Sequence, residues 1–163
     1  MQKKEIKPFG MRDKIGYGLG DFGCNMSFAF ANNYMQLFFV TCMHIDPVHY
    51  AFIILISKIL DAMNDIVIGR LCDRAKHTDG GKFLPWIRWG CIPLLVTSVL
   101  LFVDISRTDY WFRVVYCLLV YFFWGIAYTA VNVPYGSLQS VITKDGDQRA
   151  SLSTYRSVGA MLA

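Results

Sequence analysis

Lys58, Asp61 and Asp65 lie three and four residues apart inside an otherwise apolar stretch, 50–69. That spacing stacks all three side chains on one face of a helix. A charge at bilayer depth costs roughly 2.5–3.5 kcal/mol on insertion scales, so it persists where it faces a cavity or a partner. One lysine can neutralise only one of the two carboxylates. The other then takes up a proton or a cation, because a buried carboxylate without a partner does not stay charged and bare. The chemistry expected is binding of H⁺ or Na⁺ at Asp61 and Asp65. Na⁺ would need further oxygen ligands, and Asn64, Thr129 and Asn132 are the candidates.

A second group lies in the stretch 114–142. Trp124, Tyr128 and Asn132 recur every four residues and share a helix face. Flat aromatic surface beside an amide suits a sugar, whose C–H face stacks while its hydroxyls form hydrogen bonds. Interfacial anchoring or helix packing is the alternative use of the same aromatics. Pro134 removes a backbone donor and crowds the carbonyl four residues back, freeing polar groups that can line a cavity or permit bending.

These residues need helices in lipid to position them. The chain has 163 residues, of which 55% are hydrophobic and 17% charged, with the charges clumped between long apolar tracts. That is a membrane composition, and it argues against a soluble domain. An all-α membrane protein is expected, with helices over 15–41, 50–69, 85–103, 114–142 and the beginning of a fifth at 150–163. Residues 1–14 form a tail and 70–84 a loop. The first tract has a polar interior and lacks the short, uniform apolar core of a cleavable signal peptide.

Lys and Arg cluster in the tail (Lys3, Lys4, Lys7, Arg12, Lys14) and around the 70–84 loop (Arg70, Arg74, Lys76, Lys82, Arg88), whereas 42–49 has none. By the positive-inside rule the N-terminus and that loop are cytoplasmic. The net charge of +4 is then a topology signal and no argument for nucleic acid. In the same loop region Gly69, Asp73, Arg74 and Lys82 are candidates for a breakable contact between helices. An aspartate at a helix C-terminus opposes the macrodipole and wants cationic neighbours.

Other patterns point to packing. Gly18-Leu19-Gly20-Asp21-Phe22-Gly23 spells GxGxxG, but no strand precedes it, and the pattern carries dinucleotide meaning only between a strand and a helix start. Gly16 and Gly20, four apart, are expected to let another helix approach closely. Five cysteines without CxxC spacing are expected to be thiols packed among helices. No nucleophile–base pair is apparent, so no enzyme, cofactor or metal centre is expected. Helical sequence still runs at Ala163, which suggests a fragment of a longer protein or a truncated gene product.

Taken together, Gly16-Tyr17-Gly18-Leu19-Gly20-Asp21, Asp61-Ala62-Met63-Asn64-Asp65, Gly81-Lys82-Phe83-Leu84-Pro85-Trp86 and Val131-Asn132-Val133-Pro134-Tyr135-Gly136-Ser137-Leu138 closely resemble the glycoside-pentoside-hexuronide:cation symporters of the major facilitator superfamily. The likeness runs in order along the whole chain. It implies part of the N-terminal helical bundle of a two-halved carrier, placed in the bacterial inner membrane and working by alternating access. It also implies a sugar or glycoside substrate, a coupling ion (H⁺ or Na⁺), lipid around it and a second half of the same transporter as partners. Asp61 and Asp65 map onto the family's cation site, and Thr129 and Arg156 onto its cation and sugar sites.

Compared with the family's melibiose-permease branch, Asn25 and Asn132 stand where acids are found, Cys24 where a lysine is, and Gly136 where a tryptophan is. The glucuronide-carrier branch is closer in pattern at these positions. The substrate group implied is Asn25, Trp124, Tyr128, Asn132 and Arg156. With both acids replaced by amides, Arg156 is expected to lack an acidic neighbour and so to be open to a uronate carboxylate. A reading of another class, a membrane remnant whose helices only pack, predicts no transport at all.

Overall fold

The structure is a computed structural model and describes residues 9–74 and 83–163. Five α-helices make up the chain: α1 (Met11–Leu37), α2 (Pro47–Arg74), α3 (Leu84–Leu100), α4 (Tyr110–Ile142) and α5 (Gly146–Leu162). A π-helical turn, Phe38–Cys42, extends α1. No strand occurs among the described residues, as an all-α chain requires. At about 1.5 Å per residue, α1 and α2 reach about 40 Å and α4 about 50 Å.

Three helices, α1, α4 and α5, begin four residues before the apolar tracts that announce them, and the last two carry aspartate caps. Asp109 caps α4 by accepting the Trp111 N–H at 3.1 Å. Asp145 caps α5 by accepting the Asp147 N–H at 3.1 Å. In each case a side-chain acceptor satisfies a backbone donor that the first turn leaves over. In the connection between α3 and α4, the Ser106 N–H donates to Asp104 at 2.8 Å. That bond holds the Asp104 carboxyl below the usual carboxylate range.

Helix α4 is the centre. α2 and α3 pack along it, while α1 pairs mainly with α5 and touches α4. The main core joins Ala31, Met35, Ile53, Leu94, Tyr121 and Val131, which come from α1, α2, α3 and α4. At one end Ile68, Cys72 and Phe83 gather with Trp86 and Leu138. Phe9 and Ile142 pack there too, against Tyr17, Tyr135 and Leu152. The described basic residues Arg12, Lys14, Arg70 and Arg74 belong to this end. Lys3, Lys4, Lys7, Lys76 and Lys82 lie outside the described residues. At the other end the Arg113 guanidinium donates to the Met43 carbonyl at 2.6 Å, and the Met43 sulfur accepts the Ile105 N–H at 3.4 Å.

By length and mean hydropathy together, one described helix, α4, is long and apolar enough to cross a membrane. α1 and α2 are long enough, but their polar residues lower the average. Around those residues the outer faces are apolar: Leu19, Met26 and Phe30 on α1, and Phe52, Ile59 and Ile66 on α2, are all exposed. Apolar surface on this scale marks contact with lipid or further protein.

The closest approach of backbones is between α1 and α5. A Cβ placed on Gly159 would collide with the Gly18 carbonyl, and one on Gly20 would strike the Tyr135 hydroxyl of α4 at 2.7 Å. Gly16, expected to serve such an approach, has open space at its Cβ position; Gly18 instead meets α5 at Tyr155, and Gly20, on another face, meets α4 at Tyr135. Gly159→Ala therefore forces the α1–α5 pair apart. It should destabilise the detergent-solubilised protein by about 1–3 kcal/mol in a thermal or denaturant unfolding measurement. Gly16→Ala should be neutral or stabilising by up to about 1 kcal/mol.

Candidate substrate and cation site

Two polar groups lie on adjacent faces of α4. The first joins α1, α4 and α5. Asp21, 1% exposed, accepts the Arg156 Nε–H at 2.9 Å. The Asn25 amide donates to its other carboxylate oxygen at 2.7 Å and to its backbone carbonyl at 3.0 Å. Arg156 Nη2 donates to the Asn132 side-chain oxygen at 3.2 Å. Beneath this network Tyr17 and Tyr135 stack, with ring centroids 4.9 Å apart and planes within 5°. The Tyr17 hydroxyl donates to the Tyr135 carbonyl at 3.3 Å, and the Tyr135 hydroxyl donates to the Tyr17 carbonyl. Each aromatic body is buried while its polar tip is satisfied across the helix pair.

Arg156 thus has an acidic neighbour, contrary to the expectation from sequence. The carboxylate comes from α1, 135 positions away, out of a run whose glycines suggest only packing. A signal did exist in the sequence: Asp21 is the sole charge within the 15–41 tract. A lone charge at that depth demands a partner.

The second group joins α2 and α4. Thr129 Oγ1 donates to Asp65 Oδ1 at 2.9 Å. The Asp61 carboxylate is pressed against Gly125, where a Cβ would collide with it. Lys58 Nζ is 4.0 Å from Asp61 Oδ2, and its side chain is half exposed. Such a contact is a weak tie and leaves the second carboxylate charge unmatched. Among the described residues, Asp61 Oδ1, Asn64 Nδ2 and Ser57 Oγ are buried with no hydrogen-bond partner. Unpaired buried polar atoms are expensive and call for an explanation, such as an ion or water that would bind there. Thr129 and Asp65 are therefore brought together, with Asp61 one turn before Asp65 on α2 and Asn64 beside it in sequence. Asn132 is not among them, because it faces Arg156.

The aromatic face divides as well. Tyr128 stacks on Phe28 at 5.0 Å and on Trp124 at 5.6 Å. Trp124 is buried, and its indole N–H goes to Ser98 on α3 at 3.2 Å. It borders an open cleft of about 660 Å³ between α1, α3 and α4, lined also by Cys24, Ser27, Phe30, Cys91 and Ser98, and it makes no hydrogen bond to the Arg156 network. Gly69, Asp73 and Arg74 form the last turns of α2, and Lys82 lies outside the described residues. Gly18, Gly20 and Gly23 all fall inside α1, without the strand-to-helix turn that a dinucleotide site needs. The five cysteines are thiols.

Residues 16–163 match the family described as MFS/sugar transport protein. The chain belongs to that family. It is 34% identical over 158 residues to the uncharacterized symporter YjmB of Bacillus subtilis, covering 95% of this chain and 34% of that protein. It is 32% identical over 151 residues to a glucuronide carrier protein homolog of Escherichia coli, covering 93% and 33%. It is 31% identical over 144 residues to the isoprimeverose transporter of Lactiplantibacillus pentosus, covering 88% and 30%. The chain thus spans about a third of the length of the curated relatives it matches. Membership makes it a transmembrane protein of the major facilitator type.

Two hydrogen bonds join side chains of α2 and α4 among the described residues: Tyr110 with His49 at 2.8 Å at one end, and Thr129 to Asp65 beside the acidic group. Thr129→Val removes the donor and keeps the shape. The expected loss is about 0.6–1.7 kcal/mol, read as a lower unfolding midpoint in detergent, with Thr129→Ser restoring most of it.

Proposed function

We propose that the full-length gene product carries a sugar or glycoside across the bacterial inner membrane, coupled to one monovalent cation, H⁺ or Na⁺, by alternating access. It performs no chemical step on its substrate. The observation that carries this reading is the pair of polar groups on neighbouring faces of α4, one partly buried and carrying excess negative charge, the other a neutralised arginine. Lys58, Asp61 and Asp65 sum to one negative charge, which one monovalent cation balances. Asp61, Asn64, Asp65 and Thr129 would hold that cation. Asn25, Tyr128, Asn132 and Arg156 would meet the sugar. Relatives named as symporters, a glucuronide carrier homolog and an isoprimeverose transporter support a glycoside, pentoside or hexuronide as cargo.

The gathering of basic residues at one end of the bundle supports a cytoplasmic N-terminus. The remaining segments of the transporter would close the cavity, and lipid would cover the apolar outer faces. Coupling needs each ligand to raise the other's affinity by the same factor. α4, in contact with both groups, is the element that would transmit it.

The test is uptake by proteoliposomes containing the full-length gene product, given 4-nitrophenyl β-D-glucoside, β-D-xyloside and β-D-glucuronide under an imposed Na⁺ or pH gradient. At least one sugar should accumulate above its equilibrium level, and Asp61→Asn/Asp65→Asn should abolish that accumulation. Concentrative uptake undiminished by the double substitution would rule out the coupling role. Gly125→Ala, which displaces the Asp61 carboxylate without removing it, should raise the cation concentration for half-maximal uptake about tenfold, equivalent to about 1.4 kcal/mol of binding.

A further inference from the structure

We propose that Asp21 is a positioning residue of the sugar site, and that Gly136 leaves the space in which an acceptor oxygen of the sugar meets Arg156. The inference rests on the sugar-carrier reading above. A guanidinium presents five N–H donors in a rigid fork, so fixing one edge aims the others. Here Nε is held by Asp21 from the buried side at 2.9 Å. Nη2 is held by Asn132 at 3.2 Å. The fork is therefore anchored on two helices, α1 and α4, while its stem rises from α5.

The remaining nitrogen, Nη1, is held by neither Asp21 nor Asn132, and the Arg156 side chain is one-third exposed. It points over Gly136, where a Cβ would come within 3.3 Å of it. Any side chain longer than hydrogen at position 136 would crowd that edge. The Tyr135 ring, 6.0 Å from the guanidinium carbon, supports it from below. Without Asp21 the guanidinium would have no reason to keep this orientation, since the Asn132 contact alone leaves it free to swing. Asn25 in turn fixes the carboxylate through its second oxygen at 2.7 Å. The chain of restraint runs from Asn25 to Asp21 to Arg156 and ends at an edge with donors to spare. An uncharged hydroxyl or a carboxylate oxygen can both accept there, and the sugars offered separate the two.

The experiment measures uptake of 4-nitrophenyl β-D-glucoside and β-D-glucuronide by proteoliposomes with the full-length gene product, using Asp21→Asn, Asp21→Glu, Arg156→Gln and Gly136→Ala. For whichever sugar the wild type takes, Asp21→Asn should raise KM at least tenfold while the maximal rate stays within about twofold. Asp21→Glu should not rescue it, because the longer acid keeps the charge but moves the guanidinium. In the Arg156→Gln background, which has no fork to aim, Asp21→Asn should add less than a twofold further change.

Gly136→Ala should raise KM at least fivefold with the Asp21 pair intact, and it remains a test even if the Asp21 variants fail to fold. An unchanged KM in Gly136→Ala would overturn the assignment. So would an Asp21→Asn loss confined to maximal rate, or one of equal size with and without Arg156. Arg156→Gln with normal KM would overturn the inference while leaving cation-coupled transport standing. Uptake of neither sugar by the wild type would remove the carrier reading itself for these cargoes, and this inference with it.

Discussion

Everything chemical in this bundle is referred to one helix, α4, which no other element can replace because it alone touches both polar groups. Thr129 and Asn132 are three residues apart, about 60° around the helix axis. Thr129 meets Asp65 on α2, and Asn132 meets Arg156 on α5. Gly125, a turn from Thr129, admits the Asp61 carboxylate against the helix backbone. Pro134 follows directly, still inside the helix. Its ring crowds the carbonyl of Ala130, next to which Gly90 lets α3 come close. The helix is thus wrapped on several sides at the level where its own hydrogen bonding is interrupted.

The two groups handle charge in different ways. Asp21 and Arg156 neutralise one another at hydrogen-bond distance, with amides on the remaining edges. A pair of this kind contributes little net stability over an apolar core, yet removing one partner is costly, because the other is left buried and bare. On the α2 side Lys58 is too distant and too exposed to settle both carboxylates. One group is electrically complete and geometrically fixed. The other is short of a positive charge, with an oxygen of Asp61 left unpaired.

Much of this could be read from the chain before any coordinates. The spacing of Lys58, Asp61 and Asp65 placed them on one face because helical period is a local property, and the charge imbalance needed only counting. The Trp124, Tyr128, Asn132 series was equally local, but its use was not: Trp124 spends its indole N–H on Ser98 of α3, a partner 26 residues away. The Asp21–Arg156 pair was hidden for the same reason, since nothing within either helix says that α1 and α5 lie side by side. The wrong choice between Gly16 and Gly18 has that origin too. Four-residue spacing identifies a face, and only the neighbouring helix decides which face is used. The early starts of α4 and α5 came from caps at Asp109 and Asp145, polar residues that an apolar tract excludes by definition.

The distribution of close contacts bears on which parts can move together. α1 and α5 meet backbone to backbone at Gly18 and Gly159, and α1 and α4 are tied by two tyrosines that each donate to the other's carbonyl. With Arg156 spanning all three, α1, α4 and α5 form one rigid unit around the neutral pair. α2 is joined to α4 by core packing, by the Tyr110–His49 bond at one end and, beside the acidic group, by one hydroxyl–carboxylate bond. Sliding of packed helices occurs where side chains interdigitate without directional bonds, and resists where polar ties cross the interface. Around Asp61 and Asp65 the α2–α4 seam is therefore the softer of the two. That stretch also holds the unmatched charge, so neutralising Asp61 and Asp65 acts where one polar tie, Thr129 to Asp65, crosses the interface.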